Sequence, residues 1–284
     1  MNTPGYLRRL GLPALLGAPA SAEGLRALHA AHIEKVSYEA LEIWLGRTTT
    51  VDPLESAERI LRGRGGYCYH LNGAFSELLA ALGYEVTRHV GGVQNRGGEP
   101  GVTGNHLVLT VRDLPSEANP GGAWLVDVGL GDALHEPLPL VAGGYRQGPF
   151  RYVLRPSQVA PGGWRLDHDP VGSFEGMDFG LEPARMSAFA DMHRHLTTSP
   201  ASGFVRVATV QRRDAYGVDV LRGLQLKRLG NGTQSVTLCT SRDYYAALAD
   251  VFLLPLDDVS AEEKDRLWHK VRAAHESWSR AGSD

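Results

Sequence analysis

The sequence predicts an α+β protein of several subdomains, because its hydrophobic pattern changes twice along the 284 residues. Residues 1–90 carry apolar positions at helical spacing, and short β-like runs with Gly and Pro turns follow to about residue 210. The remainder combines strand-like runs with two capped helices. Regularly spaced short strands are typical of a barrel or a sandwich. A chain of this length can bury a core divided among two or three subdomains.

Helix signals are concentrated in the first part of the chain. Ala22 to Ile33 carries apolar residues at helical spacing. Asp52 followed by Pro53 is typical of an N-cap and a first helical position. The apolar residues between 71 and 82 share one helical face, which predicts a helix that starts near Cys68.

Strands are predicted where short apolar runs lie between turn residues. They span residues 84–93, 106–111, 124–128, 150–154, 164–166, 204–210, 224–229 and 234–240. Residues 115–122 are expected to form an enlarged hairpin loop, and residues 172–179 a hairpin. Ser260 and Glu263 form a capping box before a final helix that reaches about residue 279.

Charge and cysteine content exclude several classes of partner. A net charge of −3 argues against recognition of nucleic acid or anionic membrane by bulk charge. The two cysteines, Cys68 and Cys239, have no Cys-x-x-Cys spacing, so neither a disulfide framework nor a zinc cluster is indicated. Cys239 is expected to be a small core residue. Met192–His195 is interpreted as a polar surface segment rather than a set of metal ligands, and we expect no metal.

The N-terminus resembles a short signal peptide, because Arg8 and Arg9 precede an apolar stretch. That stretch is broken by Gly11, Pro13 and Gly17, and no run of about 18 apolar residues occurs in the sequence. We therefore expect a cytoplasmic protein with no membrane partner.

Cys68 is the first candidate for chemistry. Two glycines and an aromatic residue precede it, and the predicted helix follows, so its thiol is expected in the first helical turn. There the helix dipole and the unpaired N–H groups favour the thiolate, which is the nucleophilic form. A free cysteine is equally often a buried apolar residue, so both interpretations remain open at this point.

A nucleophilic cysteine needs a base and a group that orients the base. His106 stands at the head of one strand-like run, and Asp127 lies inside a later one between Val126 and Val128. A carboxylate among such neighbours is costly to bury unless it accepts strong hydrogen bonds. A histidine on the neighbouring strand would donate one, although turn N–H groups could do the same.

Together these residues resemble the arylamine N-acetyltransferase family. The resemblance rests on Arg-Gly-Gly-Tyr-Cys at 64–68, Asn-Gly at 72–73, the strand led by His106, and Asp-Val-Gly-Leu-Gly at 127–131. It extends with weaker matches from residue 6 to residue 204. It implies a triad of Cys68, His106 and Asp127.

The resemblance also implies the chemistry, the fold and the binding residues. Its chemistry is a ping-pong transfer of an acyl group from acetyl-CoA, through a cysteine thioester, to an aromatic amine or hydrazine. Its fold is an N-terminal helical bundle (1–90), a central β-barrel (91–203) and a C-terminal α/β lid (204–284) around a papain-like Cys-His-Asp core. The residues carried over to substrate are Tyr38, Val93, Leu130 and Phe204 for the acceptor, and Asn105 and Gly131 for the CoA donor.

The sequence departs from the family pattern at several positions. Tyr38 stands where a phenyl ring is usual, Leu130 replaces a Phe, and His70 replaces a common Glu. The family's pairing of Glu39 with Arg64 is expected to brace the cysteine loop. These departures leave the triad complete but affect acceptor specificity.

Other functions remain open on the sequence alone. An amide synthase that releases a natural-product chain would use the same thioester chemistry in a wider, less aromatic pocket. A cysteine hydrolase of papain or transglutaminase type would use the same order of triad residues. A binding protein without catalysis is disfavoured, because all three triad residues are present. The oligomeric state does not follow from the sequence.

Overall fold

The structure is a computed structural model that describes residues 1–281. Its helices are α1 (Thr3–Leu10), α2 (Ala22–Lys35), α3 (Leu41–Leu45), α4 (Pro53–Leu61), α5 (Cys68–Ala81), α6 (Ala190–Thr198), α7 (Gly203–Arg206), α8 (Ser241–Ala246) and α9 (Ala261–Ala281). Its strands are β1 (Tyr38–Glu39), β2 (Glu85–Gln94), β3 (His106–Arg112), β4 (Trp124–Val126), β5 (Leu138–Pro139), β6 (Gly143–Gln147), β7 (Phe150–Pro156), β8 (Trp164–Asp167), β9 (Gly176–Pro183), β10 (Thr209–Asp214), β11 (Gly217–Arg222), β12 (Gln225–Gly230) and β13 (Gly232–Thr237). Among these residues no helix is both long and apolar enough to cross a membrane.

The N-terminal helices pack around α5. Helix α1 starts where the Asn2 side chain accepts a hydrogen bond from the Gly5 N–H (2.9 Å), and it ends at Gly11 in the left-handed conformation. It buries Tyr6 and Leu7 in the same core as α2, α4 and α5. The opening that resembles a signal peptide is thus a packed helix. Helix α5 is buried along almost its whole length, which fixes the position of its first residue.

The predicted barrel is an eight-stranded antiparallel sheet in the order β5-β4-β3-β2-β9-β8-β7-β6. Within the described residues the edge strands β5 and β6 are not paired with each other, so the sheet does not close fully. Glycine is required at residue 92, because a Cβ there would lie 1.9 Å from the Gly101 carbonyl oxygen. The loop before β3 can therefore fold against β2.

A second antiparallel sheet, in the order β1-β10-β11-β12-β13, joins the N-terminal part of the chain to the C-terminal part. One of its faces shares a core with α3, α8 and α9 that includes Trp44, Leu221, Leu248 and Trp268. The subdomain boundaries at residues 90 and 203 stay a prediction.

Two local predictions were wrong. The run 204–210 is not one strand, because the Ser202 hydroxyl accepts a hydrogen bond from the Phe204 N–H (3.2 Å) and caps the short helix α7. Strand β10 starts only at Thr209. Cys239 is exposed rather than buried, because β13 ends at Thr237 and its thiol turns back to that carbonyl oxygen (3.6 Å).

Candidate active site

Cys68 is the first residue of α5, as the sequence predicts. Its side chain is buried, and its sulfur lies 3.7 Å from the carbonyl oxygen of Asn105. The thiol borders a cavity of about 310 Å³ that His106 also lines. The position at a helix N-terminus favours a negative charge on the sulfur.

The predicted base and orienter are in direct contact. Nε2 of His106, at the start of β3, lies 2.7 Å from Oδ2 of Asp127, which directly follows β4. The other carboxylate oxygen accepts hydrogen bonds from the Asn72 amide (2.8 Å) and the Gly129 N–H (2.9 Å). Both side chains are almost completely buried. Three donors thus compensate the loss of hydration of this carboxylate.

His106 is held in its protonated form. Burial by itself would lower the pKa of His106, but the charges of Asp127 and Cys68 and the hydrogen bonds to both raise it to about 10. Because Nε2 is committed to Asp127, Nδ1 is the ring nitrogen left to exchange a proton at the thiol. The three side chains are thus placed as the predicted roles of nucleophile, proton carrier and counter-ion require.

The Asn72 side chain connects α5 to β3 and to the loop after β4 by hydrogen bonds. Its amide donates to the Leu107 carbonyl (2.6 Å) as well as to Asp127, and its oxygen accepts from the Val128 N–H (2.9 Å). One side chain on α5 therefore fixes both β3 and the loop after β4. The sequence showed this residue only as part of a motif, without a role.

His29 is a second positioning residue, and the sequence gave no signal for it. Its Nε2 accepts a hydrogen bond from the Asp127 N–H (3.2 Å), and its Nδ1 donates to the His135 carbonyl (2.9 Å). These partners require a neutral ring with its proton on Nδ1. Burial lowers the pKa of His29 to about 4, which agrees with that state.

Comparison with known proteins identifies the family. The family model described as N-acetyltransferase matches residues 21–261. The arylamine N-acetyltransferase of Mycolicibacterium smegmatis is 30% identical over 283 residues, which cover 93% of this chain and 95% of that protein. The chain belongs to the arylamine N-acetyltransferase family. It is therefore an enzyme of the acyltransferase class.

Two further proteins are similar to this chain, one in structure and one in part of its sequence. The structure of Mycobacterium marinum arylamine N-acetyltransferase in complex with CoA has the same fold, with a TM-score of 0.82, 24% identity, and coverage of 96% of this chain and 99% of that one. The proansamycin X synthase of Amycolatopsis mediterranei is 34% identical over 139 residues, which cover 47% of this chain and 50% of that protein.

The four acceptor residues that the family resemblance implied come together in space. They line the cavity that contains the thiol, and they are Tyr38, Val93, Leu130 and Phe204. The ring of Tyr38 lies 6.3 Å from that of Phe204. Gln211, which pairs with Tyr38 across β1 and β10, also lines the cavity and was not foreseen. Its side chain is buried and has no hydrogen-bond partner within the described residues, so it can bind a polar group of a ligand.

The two residues carried over to the CoA donor are differently placed. Asn105 lines the cavity, but its amide is already bonded to the backbone N–H (2.7 Å) and carbonyl (3.0 Å) of Val93. Gly131 is not among the residues that line the cavity; it has the left-handed conformation, and a Cβ there would be 1.9 Å from the Gln211 side-chain oxygen. Both assignments stay predictions.

Among the described residues Glu39 and Arg64 form no ion pair within 4 Å, but the two still interact: burial by itself would lower the pKa of Arg64, and the charges of Glu39, Glu42 and Asp258 raise it. Arg64 instead binds Glu42 (2.7 Å) and Asp258 (3.1 Å), and the Glu39 carboxylate accepts from the Leu41 N–H (2.5 Å). The cysteine loop is therefore tied to α3 and to the segment before α9. The sequence could not show that a distant aspartate completes this network.

His193 is buried, contrary to the surface interpretation of Met192–His195. Its Nε2 donates to the Thr49 carbonyl (2.7 Å), and its Nδ1 accepts from the Tyr67 hydroxyl (2.5 Å). Tyr67 directly precedes Cys68, so α6 supports the loop that leads into α5. In the described part of the chain, no group of three or more His, Cys, Asp or Glu residues is placed to hold a metal ion.

Proposed function

We propose that this enzyme transfers an acetyl group from acetyl-CoA to an arylamine or hydrazine through a thioester on Cys68. The observation that carries the proposal is the contact of His106 with Asp127 (2.7 Å) beside the Cys68 thiol, in a cavity that has both aromatic and polar side chains in its walls. Family membership supports the acyltransferase class.

In the first half-reaction the Cys68 thiolate attacks the carbonyl carbon of the donor thioester. A bond forms between that carbon and the Cys68 sulfur, and the bond from the carbon to the CoA sulfur breaks. The departing CoA sulfur takes the proton from the His106 imidazolium and leaves as a thiol. Asp127 orients the ring and stabilises it while it is charged.

In the second half-reaction the acceptor amine attacks the carbonyl carbon of the acetyl-cysteine. The new C–N bond replaces the bond to the Cys68 sulfur, and the amine proton passes to His106. The thiolate and the imidazolium are thereby restored. Because the first product leaves before the acceptor binds, the kinetics are ping-pong.

The test is acetylation of the protein in the absence of any amine. Incubation with acetyl-CoA should add one acetyl group, which peptide mass spectrometry should locate on Cys68. Cys239 is exposed and can react non-enzymatically, so the experiment uses the Cys239→Ser variant beside the parent protein. Addition of an arylamine should remove the label. Label at Cys239 alone would contradict the mechanism.

An amide synthase is the second candidate, and Leu130 is the observation that favours it. This residue lines the acceptor cavity where the family's aromatic ring is usual, so the wall offers less stacking surface. Its donor would be a longer acyl chain carried as a thioester. Labelling of Cys68 by such a thioester, but not by acetyl-CoA, would favour this function over acetyl transfer.

A further inference from the structure

The amide of Gln211 is a buried polar group in the wall of the active-site cavity. Gln211 is only 5% exposed, and within the described residues its side chain makes no hydrogen bond. A buried amide without a partner is costly, so native proteins commonly provide one. Because this amide borders the cavity, the partner that it lacks in the protein is water or a ligand bound there.

Several other polar side chains in the same walls already have partners. The Asn105 amide is bonded to backbone, the Ser202 hydroxyl donates to a backbone carbonyl (2.7 Å), and the Ser173 hydroxyl donates to a carboxylate (3.0 Å). The Tyr38 hydroxyl differs from these and resembles Gln211, since it has no hydrogen bond in the described part of the chain. Tyr38 and Gln211 are therefore the groups best able to bind a polar substituent of a ligand.

Tyr38 and Gln211 are neighbours, and we call them the polar pair. They lie directly opposite each other in the register of β1 and β10, so their side chains leave the same face of the sheet. Burial raises the pKa of the Tyr38 hydroxyl, and the charges of Cys68 and Asp132 raise it further. The hydroxyl therefore stays neutral, and the same charges disfavour an anionic group beside it. The polar pair suits a neutral group that can donate and accept hydrogen bonds.

Gly131 makes room for the polar pair. This glycine has φ +70°, and a Cβ on it would overlap the Gln211 side-chain oxygen and lie 3.4 Å from Cγ of Tyr38. The absence of a side chain at residue 131 thus lets the Gln211 amide fold over the loop and border the cavity. A larger residue there would displace the amide.

The loop after β4 sets the separation between the thiol and the polar pair. Gly129 packs against α5, since a Cβ on it would lie 2.7 Å from the Cα of Cys68, and Gly131 packs against Gln211. Two residues of extended chain span at most about 7 Å. This separation is close to the length of a benzene ring with a substituent at each end. An arylamine whose nitrogen attacks at Cys68 would bring its opposite ring position to the polar pair.

We propose that the polar pair selects arylamine acceptors that carry a neutral hydrogen-bonding group, such as a phenolic hydroxyl, opposite the amine. The Gln211 carbonyl accepts a hydrogen bond from that hydroxyl, and the Tyr38 hydroxyl donates one to it. Leu130 and Phe204, which line the same cavity, contact the ring. Gln211 is thus a specificity-determining residue. This assignment rests on the proposed acetyl transfer to arylamines.

The test compares two acceptors, 4-aminophenol and 4-methylaniline, in which a hydroxyl and a methyl group of similar size stand opposite the amine. In a ping-pong reaction kcat/KM for the acceptor reports the second half-reaction only. The parent protein should prefer 4-aminophenol. Gln211→Leu should reduce this preference by about tenfold to a hundredfold, because the buried phenolic hydroxyl loses a partner. The kcat/KM for 4-methylaniline should not fall.

Two further variants sharpen the comparison. Tyr38→Phe removes only a hydroxyl and should reduce the preference by about twofold to tenfold, the effect of one neutral hydrogen bond. Gln234→Leu is the matched control, since Gln234 is an exposed glutamine on β13 of the same sheet, and it should leave the preference unchanged.

Other outcomes overturn the assignment. A parent protein that does not prefer 4-aminophenol would refute it, and an equal loss with both amines in Gln211→Leu would mean that Gln211 supports the shape of the cavity only. If neither amine is acetylated, the proposed function fails by itself. Calorimetric titration with the two amide products then still decides: tighter binding of the hydroxyl-bearing amide that is lost in Gln211→Leu supports the polar pair, and equal binding of the two amides refutes it.

Discussion

Buried polar groups lie on two sides of helix α5, and the two sides differ in how many hydrogen bonds these groups make. On the side of Cys68, Asn72 and the His106–Asp127 pair make hydrogen bonds with one another and with backbone. On the opposite side, two positions along from Cys68, His70 faces Arg59. Among the described residues, no ring nitrogen of His70 and no guanidinium nitrogen of Arg59 makes a hydrogen bond of good geometry; a weaker interaction joins His70 to the Thr50 backbone, and Arg59 has an ion pair with Glu55 at 4.0 Å.

The two sides also hold their histidines in opposite charge states. Both His70 and His106 are buried. Burial lowers the pKa of His70 well below its usual value, and the charge of Arg59 lowers it further. The pKa of His106 is raised, because a carboxylate takes the place of the guanidinium. Burial disfavours the cationic form of both imidazoles, and only at His106 does a neighbouring carboxylate outweigh it, so only the side facing the thiol carries the charge that the proposed mechanism needs.

The largest effect is expected from Asp127→Asn, which removes the carboxylate on the Cys68 side of α5. Asp127→Asn keeps the shape but removes the charge and the correct orientation of the imidazole. We expect kcat for acetyl transfer to fall about 10³–10⁴-fold, and the pKa of His106 to fall with it. Steady-state rates and the ultraviolet absorbance of the thiolate as a function of pH would measure both. Asp113→Asn is the control, since Asp113 is exposed. A loss of only a few-fold would mean that another carboxylate orients His106.

A smaller effect is expected on stability at acid pH, through His29. Its pKa is about 4 in the folded protein and about 6.5 in an unfolded chain, so between these values the unfolded state binds the extra proton. The free energy of unfolding should therefore decrease as the pH falls from 6.5 to 4. The part due to His29 is about 3 kcal/mol.

Urea denaturation at a series of pH values would measure this decrease. His29→Gln keeps an acceptor and a donor but does not titrate, so its decrease should be smaller by that amount. Other buried histidines with lowered pKa values, such as His32 and His70, titrate in both proteins. If the two proteins lose stability in parallel, the neutral state of His29 is not what limits stability in acid.

The sequence predicted the parts of the site that local patterns determine. Cys68 follows from a glycine turn and a helical repeat, and His106 and Asp127 follow from two strands that are adjacent in the sheet. Most strands of the eight-stranded sheet were also predicted, because short apolar runs between turns mark them. The order of helices, short strands and a mixed region followed from the hydrophobic pattern, and the family resemblance added the expected barrel and lid.

The remaining features depend on contacts between distant parts of the chain. His29 lies on an ordinary helical repeat and meets Asp127 only after folding. Arg64 binds Asp258, 194 positions along the chain, which no local pattern marks. A second cavity, of about 220 Å³, is lined by residues of α7, β11, β12 and α9, which no motif connects. Such placements follow from tertiary packing and leave no periodic signal in the sequence.

The smallest effect is expected from His70→Glu, which places a carboxylate near Arg59 on the other side of α5. Arg59 already has a long ion pair, in which its Nη1 lies 4.0 Å from Oε1 of Glu55. In His70→Glu a buried carboxylate would face the guanidinium, and a hydrogen bond to a charged group contributes about 1.5–3 kcal/mol, less the free energy of burying the new charge. We expect a net gain of about 1 kcal/mol in the free energy of unfolding at pH 7, measured by urea denaturation.

His70→Gln is the matched control, because it offers a hydrogen bond without a charge. The paired Glu should have a lowered pKa, so the gain should be present above the usual Glu pKa of about 4.3 and disappear as the pH falls through the lower value of the folded state. Rates of acetyl transfer should change little, since His70 faces away from the thiol. If the Glu variant is less stable than the Gln variant at pH 7, the free energy of burying the carboxylate outweighs its attraction to Arg59, and a carboxylate cannot stabilise this side of α5.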